Sequence, residues 1–237
     1  MLVDIIIPVY NIQKRGFNRV YFSIYSLMGQ NYNKIYIVDG SEERQYNALN
    51  GLIKDLPKVE HVPMQLDVFN KPKLLNRGIK MSKADYIFCT DCDYIFSKDL
   101  LEICENQRSD KVMLHKEVLM LPNLNMTCQR IQKWMFPKAK LNQWGKLANG
   151  ALQYAKREFF VNNPYPETME GFGAMDNIMA YMAKANGLKL LWIKEGQILH
   201  MYHRVFKFVK SWDHQRFSRN QKILNAYISE HKLAKML

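Results

Sequence analysis

Little in this chain points to a covalent framework. Its 237 residues include only four cysteines, Cys89, Cys92, Cys104 and Cys128. That is too few for a disulfide scaffold, and a reducing compartment is the simpler expectation. Long apolar runs are also missing. The longest are strand-sized, such as Ile5 to Val9, far short of the ~20 residues of a membrane span. The N-terminus lacks the shape of a signal peptide, so a soluble, cytoplasmic protein is expected. There is no G-x-G-x-x-G fingerprint and no Walker-type loop, which removes two common nucleotide-binding signatures. Internal repeats, low-complexity segments and linkers are absent as well. Hydrophobic residues at 48% and charged residues at 24% give a globular composition that excludes wholesale disorder.

Acidic residues are in deficit. Twenty-two Asp+Glu face 34 Lys+Arg, a formal net charge of +12, and such a surface attracts polyanions. No acidic residue lies between Glu117 and Glu158. Arg130, Lys133, Lys138, Lys140, Lys146, Lys156 and Arg157 all lie there, with Trp134, Phe136 and Trp144 among them. Residues 118–157 therefore have the composition of a nucleic-acid groove, where lysines track phosphates and aromatic rings stack on bases. The same composition describes a solvated basic face. Residues 201–237 carry eight Lys/Arg against Asp213 and Glu230, which suits peripheral contact with an anionic membrane surface.

The pattern along the chain is that of an α/β domain. Val3 to Val9 is a β-branched run of the kind found in buried parallel strands. Phe17, Val20, Tyr21, Ile24, Leu27 and Met28 then recur at helical spacing, and Ile35 to Val38 is a second strand ended by the turn Asp39-Gly40-Ser41. Strand, helix, strand is a βαβ unit. Leu74, Leu75 and Ile79 suggest another helix, and Ala84 to Cys89 a third strand. From about Glu117 the pattern becomes irregular. A helix is expected around Asn177 to Ala185, strands at Leu188 to Ile193 and Gln197 to His200, and a helical tail. Met113, Met120 and Met126 read as core or loop filler.

Asp91-Cys92-Asp93 directly follows the third predicted strand. Two carboxylates at i and i+2 on a strand project to one side and repel unless a cation lies between them. A hard divalent cation held by one or two carboxylates completes its shell with waters and phosphates, the wiring that stabilises a departing diphosphate. Position adds weight, because open parallel sheets bind ligands beyond the C-terminal ends of their strands. Pro8-Val9-Tyr10-Asn11, Asp39-Gly40-Ser41 and Asp91-Cys92-Asp93 each sit at such an end. Alone, Asp39 is as well explained as an Asx-turn residue. Cys89-Thr90-Asp91-Cys92 is a C-x-x-C without a second pair, which argues against zinc. Asp176 reads either as a general base or as a helix cap; near a helix N-terminus the anion is favoured. Gly171 and Gly173 let a substrate approach the backbone closely.

These motifs, in order, resemble the signatures of family-2 glycosyltransferases. They are Ile6 to Asn11, Ser26 to Gln30, Tyr36 to Ser41, Asn76-Arg77-Gly78-Ile79 and Tyr86 to Asp93. The resemblance covers roughly residues 1 to 100. A later segment, from Asn149-Gly150-Ala151 through Glu170 to Asn177, is similar to the acceptor side of galactosyltransferase-type enzymes, and departs from it at Met175, where a glutamate would stand. The resemblance implies the GT-A fold, Rossmann-like, with a mostly parallel central sheet flanked by helices. One domain would span 1–203, with a nucleotide-sugar half at 1–100 and an acceptor half at 101–203. A basic helical extension would occupy 204–237.

It further implies a metal-dependent inverting hexosyltransferase using a nucleoside-diphosphate sugar, with UDP-sugars first among donors. Pro8, Val9, Tyr10, Asn11, Asp39, Asn76, Arg77, Asp91 and Cys92 would bind the nucleotide-sugar, Asp39 at the nucleobase. Asp93 would ligate Mn2+ or Mg2+, helped by Asp91 and by His200 or His203, with His200 preferred. Asp176 would be the general base. Trp144, Gly150, Gly171, Phe172 and Gly173 would face the acceptor. A saccharide is the expected acceptor; a hydroxylated nucleic-acid base, met through residues 118–157 and 204–237, is the alternative. A non-catalytic nucleotide or nucleic-acid binder on the same fold and a nucleotidyltransferase are the rivals.

Overall fold

The computed structural model describes residues 2–12, 14–121, 140–141, 149–171, 173–201 and 211–233, and of 14–16, 140–141 and 211–213 the backbone alone. Trp144, Phe172 and His203 lie outside the described residues, as do most of 118–149 and all of 202–210. The elements run β1 (Val3–Val9), α1 (Lys14–Leu27), β2 (Lys34–Asp39), α2 (Glu43–Ile53), β3 (Val59–Pro63) and α3 (Lys71–Met81). They continue with β4 (Tyr86–Cys89), β5 (Tyr94–Phe96), α4 (Leu100–Gln107), β6 (Val112–His115), β7 (Leu119–Met120) and β8 (Lys140–Leu141). Last come β9 (Gln153–Lys156), α5 (Arg157–Asn162), α6 (Met175–Ala185), β10 (Lys189–Trp192), β11 (Ile198–His200) and α7 (Ser211–Glu230).

β1 is an interior strand of the main sheet, between β4 and β2, and its sequence says why. All seven of its residues are buried, so one face needs as much apolar surface as the other. Ile5, Ile7 and Val9 pack into a core with Val20, Ile24 and Leu27 of α1, while Ile6 packs with Leu74, Leu75 and Ile79 of α3 on the opposite face. Each such aliphatic side chain contributes roughly 1.5–3 kcal/mol by leaving water. Asp4 is the polar exception inside the strand, and it is answered: Ser82 Oγ donates to it at 2.6 Å and Asn33 Nδ2 at 2.9 Å.

The sheet order is β10-β6-β9-β4-β1-β2-β3. β1 is parallel to β2 and β4, β2 to β3, and β10 to β6, whereas β9 runs antiparallel to both β4 and β6. The expected mostly parallel α/β sheet is therefore present, with one reversed strand. The irregular stretch expected from Glu117 onward is not uniformly irregular, since it supplies β9 and α5. The strand Ala84–Cys89, expected as the third, is the fourth; β3 precedes it.

Register brings the polar strand ends together. Val9 lies beside Asp39 and Ile6 beside Cys89, so the segments 10–12, 39–42 and 90–93 leave the sheet along one edge. A second sheet, β5-β11-β7-β8, starts directly after Asp93. β11 is antiparallel to β5, with His200 opposite Tyr94.

Candidate active site

The first two strand ends are tied to each other. Gly40 N–H donates to the Val9 carbonyl at 2.8 Å, and Asn11 N–H to Ser41 Oγ at 2.7 Å. Tyr10 donates its hydroxyl to the Asp67 carbonyl at 3.1 Å, and its ring lies 5.5 Å from Phe69. Asp39 is buried. One carboxylate oxygen accepts from Ser41 N–H at 2.8 Å, the other lies 3.0 Å from His61 Nε2. The turn reading of Asp39 is thus realised, with a histidine partner that the sequence did not reveal.

The centre of the site is a lysine that sequence reasoning missed. Lys71 Nζ lies 2.7 Å from Asp91 Oδ1 and 2.9 Å from Asp176 Oδ1, and its side chain is 9% exposed. Local rules put it there. Asn70 caps α3 by accepting from Lys73 N–H at 3.0 Å, and Pro72 occupies the first turn, a position where its missing donor is not needed. The helix follows β3, so its N-terminus falls at the ligand edge of the sheet. A cation in a first turn opposes the helix dipole and needs anions nearby. That mismatch was a readable signal. Burial pulls the Lys71 ammonium down, but Asp176 and Asp91 outweigh it and hold it well above the ordinary lysine range. Burial pushes the Asp91 carboxyl up; Lys71 opposes this and the charges of Asp176 and Asp93 add to it.

Asp176 is not a helix cap. The N-cap of α6 is Ala174, in left-handed backbone at φ 67° with no side-chain cap. Asp176 Oδ1 instead accepts from Lys71 and, at 3.3 Å, from Gln153 Nε2. Gln153 is in turn fixed by the Tyr165 hydroxyl, which donates to its Oε1. Gly150 is the counterpart on the other side. Asp91 N–H donates to its carbonyl at 2.8 Å, and a Cβ at position 150 would stand 1.9 Å from Asp91 Oδ2 and 2.8 Å from Lys71 Nζ. Only glycine leaves that space.

Asp91 and Asp93 part company, which corrects the expectation that they face one way. β4 ends at Cys89, and residues 92–93 form a turn, so strand alternation does not govern Asp91 and Asp93. Asp91 turns to Lys71. Asp93 Oδ2 lies 3.4 Å from His200 Nε2, because β11 pairs with the strand that begins at Tyr94. Burial lowers the His200 imidazole, but Asp93 more than compensates and raises it above the usual histidine value. Among the described residues no cluster of three or more His, Cys, Asp or Glu converges on a metal position. Asp93 and His200 do form a mixed oxygen and nitrogen donor pair, which fits a cation such as Mn2+.

The other expected residues have separate surroundings. Asn76 is buried and holds the 165–167 segment, donating to the Tyr165 carbonyl and Glu167 Oε1 and accepting from Tyr165 N–H. Arg77 is exposed on α3, and Cys92 packs against the core. Gly171, at φ 71°, donates its N–H to the Phe69 carbonyl at 2.9 Å. Gly173, at φ 90°, lies under the ring of Phe217, which a Cβ would meet at 2.4 Å. α7 holds this loop: buried Asn220 donates to the carbonyls of Glu170 at 2.9 Å and Gly173 at 3.3 Å.

Residues 4–107 match the sequence family described as Glycosyl transferase family 2. No curated protein sequence matches the chain. Solved structures with a similar fold include S. aureus TarS (residues 1–349) in complex with UDP-GlcNAc, at TM-score 0.68 and 13% identity over 96% of this chain and 66% of that one. GalNAc-T7 with UDP, GalNAc and Mn2+ gives a TM-score of 0.70 at 13% identity, over 99% of this chain and 55% of that one. The mannosyltransferase PcManGT from Pyrobaculum calidifontis, with GDP-Man and Mn2+, gives 0.66 at 14%, over 99% and 65%. The chain thus spans less than two thirds of these structures. Residues 4–107 therefore match glycosyl transferase family 2, and the chain has the GT-A fold.

Proposed function

We propose that the protein is an inverting, metal-dependent glycosyltransferase that moves a sugar from a nucleoside-diphosphate sugar, first of all a UDP-sugar, to an acceptor hydroxyl. The observation that carries this reading is Lys71, which brings Asp176 and Asp91 together at the sheet edge where parallel folds bind nucleotides. The donors named with the similar structures, UDP-GlcNAc, UDP with GalNAc, and GDP-Man, support a nucleotide-sugar; two of the three carry Mn2+.

Asp93 and His200 would hold the divalent cation, Mn2+ or Mg2+, which supplies positive charge to the diphosphate as it departs. Asp176 takes the proton of the acceptor hydroxyl. The freed oxygen attacks the anomeric carbon, the bond from that carbon to the diphosphate oxygen breaks, and the electron pair leaves with the nucleoside diphosphate. Attack opposite the leaving group inverts the configuration. Lys71 and Gln153 fix the Asp176 carboxylate from two directions, so the base needs little reorganisation when the hydroxyl arrives. Gly171 gives the loop ahead of α6 its left-handed turn, and Gly173 leaves room for the Phe217 ring rather than for a substrate.

The acceptor we favour is a saccharide. The +12 charge favours, as a second reading, a hydroxylated base in nucleic acid, which would show as a transfer rate falling steeply with salt. The test is transfer of radiolabelled sugar from UDP-GlcNAc, UDP-GalNAc, UDP-glucose, UDP-galactose and GDP-mannose to panels of free sugars and of hydroxymethylated DNA, with Mn2+. Transfer by the wild type and none by Asp176→Asn supports the reading. Release of pyrophosphate from a nucleoside triphosphate would point to a nucleotidyltransferase instead.

A further inference from the structure

A buried polar chain on the outer side of β2 has no part in the chemistry above. Its centre is His61 on β3, whose side chain is 2% exposed. Nε2 lies 3.0 Å from Asp39 Oδ2, and Nδ1 lies 3.2 Å from Asn50 Oδ1 on α2. The ring stacks on Tyr46 at 4.1 Å between centroids, and the Tyr46 hydroxyl donates to the carbonyl of His61 itself at 3.2 Å. Both ring nitrogens and the carbonyl of this histidine are therefore addressed by named groups.

From Asp39 the chain runs on toward the cleft. Asp39 Oδ1 accepts from Ser41 N–H at 2.8 Å, Ser41 Oγ accepts from Asn11 N–H at 2.7 Å, and Asn11 Oδ1 accepts from Glu42 N–H at 3.4 Å. Asn50, His61, Asp39, Ser41 and Asn11 thus form one path from α2, under the ends of β3, β2 and β1, to an exposed residue. Asn11 has φ 43°. This is the left-handed region, which asparagine adopts more readily than other non-glycine residues, and the Ser41 contact holds it there.

An apolar side chain at position 61 would join β3 to α2 without the desolvation that buried polar groups require. The fold alone does not ask for a histidine. What the histidine adds is direction: it fixes one oxygen of Asp39, so that the other meets Ser41, and Ser41 in turn meets the left-handed Asn11 turn.

We propose that His61 is a positioning residue of the donor site, holding the Asp39, Ser41 and Asn11 turns in the arrangement that receives the nucleotide. This rests on the donor reading given above. His61 itself touches no ligand; it acts through Asp39.

The test is calorimetric titration of UDP and of GDP, each with Mn2+, into the wild type, His61→Phe and His61→Gln. Phenylalanine keeps a ring against Tyr46 and loses both polar contacts, whereas glutamine restores an amide donor toward Asp39. His61→Phe is expected to weaken the nucleotide that the wild type binds by about tenfold and to raise the donor KM while leaving kcat near the wild-type value. His61→Gln is expected to recover most of that loss. Equal affinity in His61→Phe and the wild type overturns the inference and leaves the donor reading standing. A wild type that binds neither of these, nor CDP or dTDP with Mn2+, overturns the donor reading, and the inference with it. Should circular dichroism show that His61→Phe does not fold, Asn50→Leu cuts the far end of the chain from a half-buried position. A weakening of about threefold is expected there, and unchanged affinity overturns the inference.

Discussion

Lys71 and Asp176 stand 105 residues apart in sequence and 2.9 Å apart in space, and the same ammonium holds Asp91 at 2.7 Å. One cation thus neutralises two carboxylates that would otherwise confront each other. Replacing it by methionine keeps the volume and removes the charge. Breaking such a pair leaves uncompensated carboxylates, and because these are only partly buried, Lys71→Met is expected to lower stability by about 2 kcal/mol. The urea midpoint of the variant measures this, and an unchanged midpoint contradicts it.

The same substitution at two glycines should have opposite signs. Gly150→Ala drives a methyl group into Asp91 Oδ2, and overpacking of this kind costs about 1–3 kcal/mol. Gly51, inside α2, has nothing within 4 Å of the place a Cβ would take, so Gly51→Ala should raise stability by about 1 kcal/mol through helix propensity. Thermal unfolding of the two variants, side by side, gives the comparison.

Acid stability has a separate origin. His115 is buried at the end of β6, 5.4 Å from the Trp192 ring, and burial lowers its imidazole to about 4. The unfolded chain takes up that proton near pH 6.5 and the native chain only near pH 4. Its contribution is therefore complete above about pH 6.5 and is lost as the pH falls toward 4, by about 3 kcal/mol in all. His115→Leu is expected to flatten the stability curve across that window. A variant with the wild-type slope there would remove His115 as the cause.

Asp176→Asn separates binding from chemistry. The amide can still meet Lys71 through its oxygen but cannot take a proton from an acceptor. Sugar transfer is expected to fall at least about a hundredfold, with nucleotide affinity within a factor of about two. Quenched-flow transfer and equilibrium titration on one preparation check both. A parallel loss of affinity would assign Asp176 to donor binding instead.

The parts of the fold that announced themselves are those whose burial is periodic. β1, α1, β2, α3, β4 and α6 each carry an apolar pattern that matches one secondary-structure period. α2 did not, because Glu43 to Ile53 buries only Leu49 and Ile53. β3 is an edge strand reading Val-Glu-His-Val-Pro, with the charge and proline that edges tolerate. β9 gives Gln-Tyr-Ala-Lys, too polar to stand out, though it lies between two strands. In the site, residues at strand ends were legible from position, and Asp176 from its glycine loop. Lys71, His61 and Gln153 were not, since each acts through a partner far along the chain, and only the lysine broke a local rule.

The proposed function requires a metal-dependent nucleotide site at Asp93. Thermal unfolding of the wild type and Asp93→Ala with UDP, GDP, CDP or dTDP, each with and without Mn2+, tests it most directly. At a hundred times its dissociation constant a bound nucleotide adds ~2.7 kcal/mol to the native state. The expected result is one nucleotide that raises the melting temperature of the wild type with Mn2+, and has no such effect without the metal or in Asp93→Ala. No metal-dependent shift with any of the four would contradict the donor site.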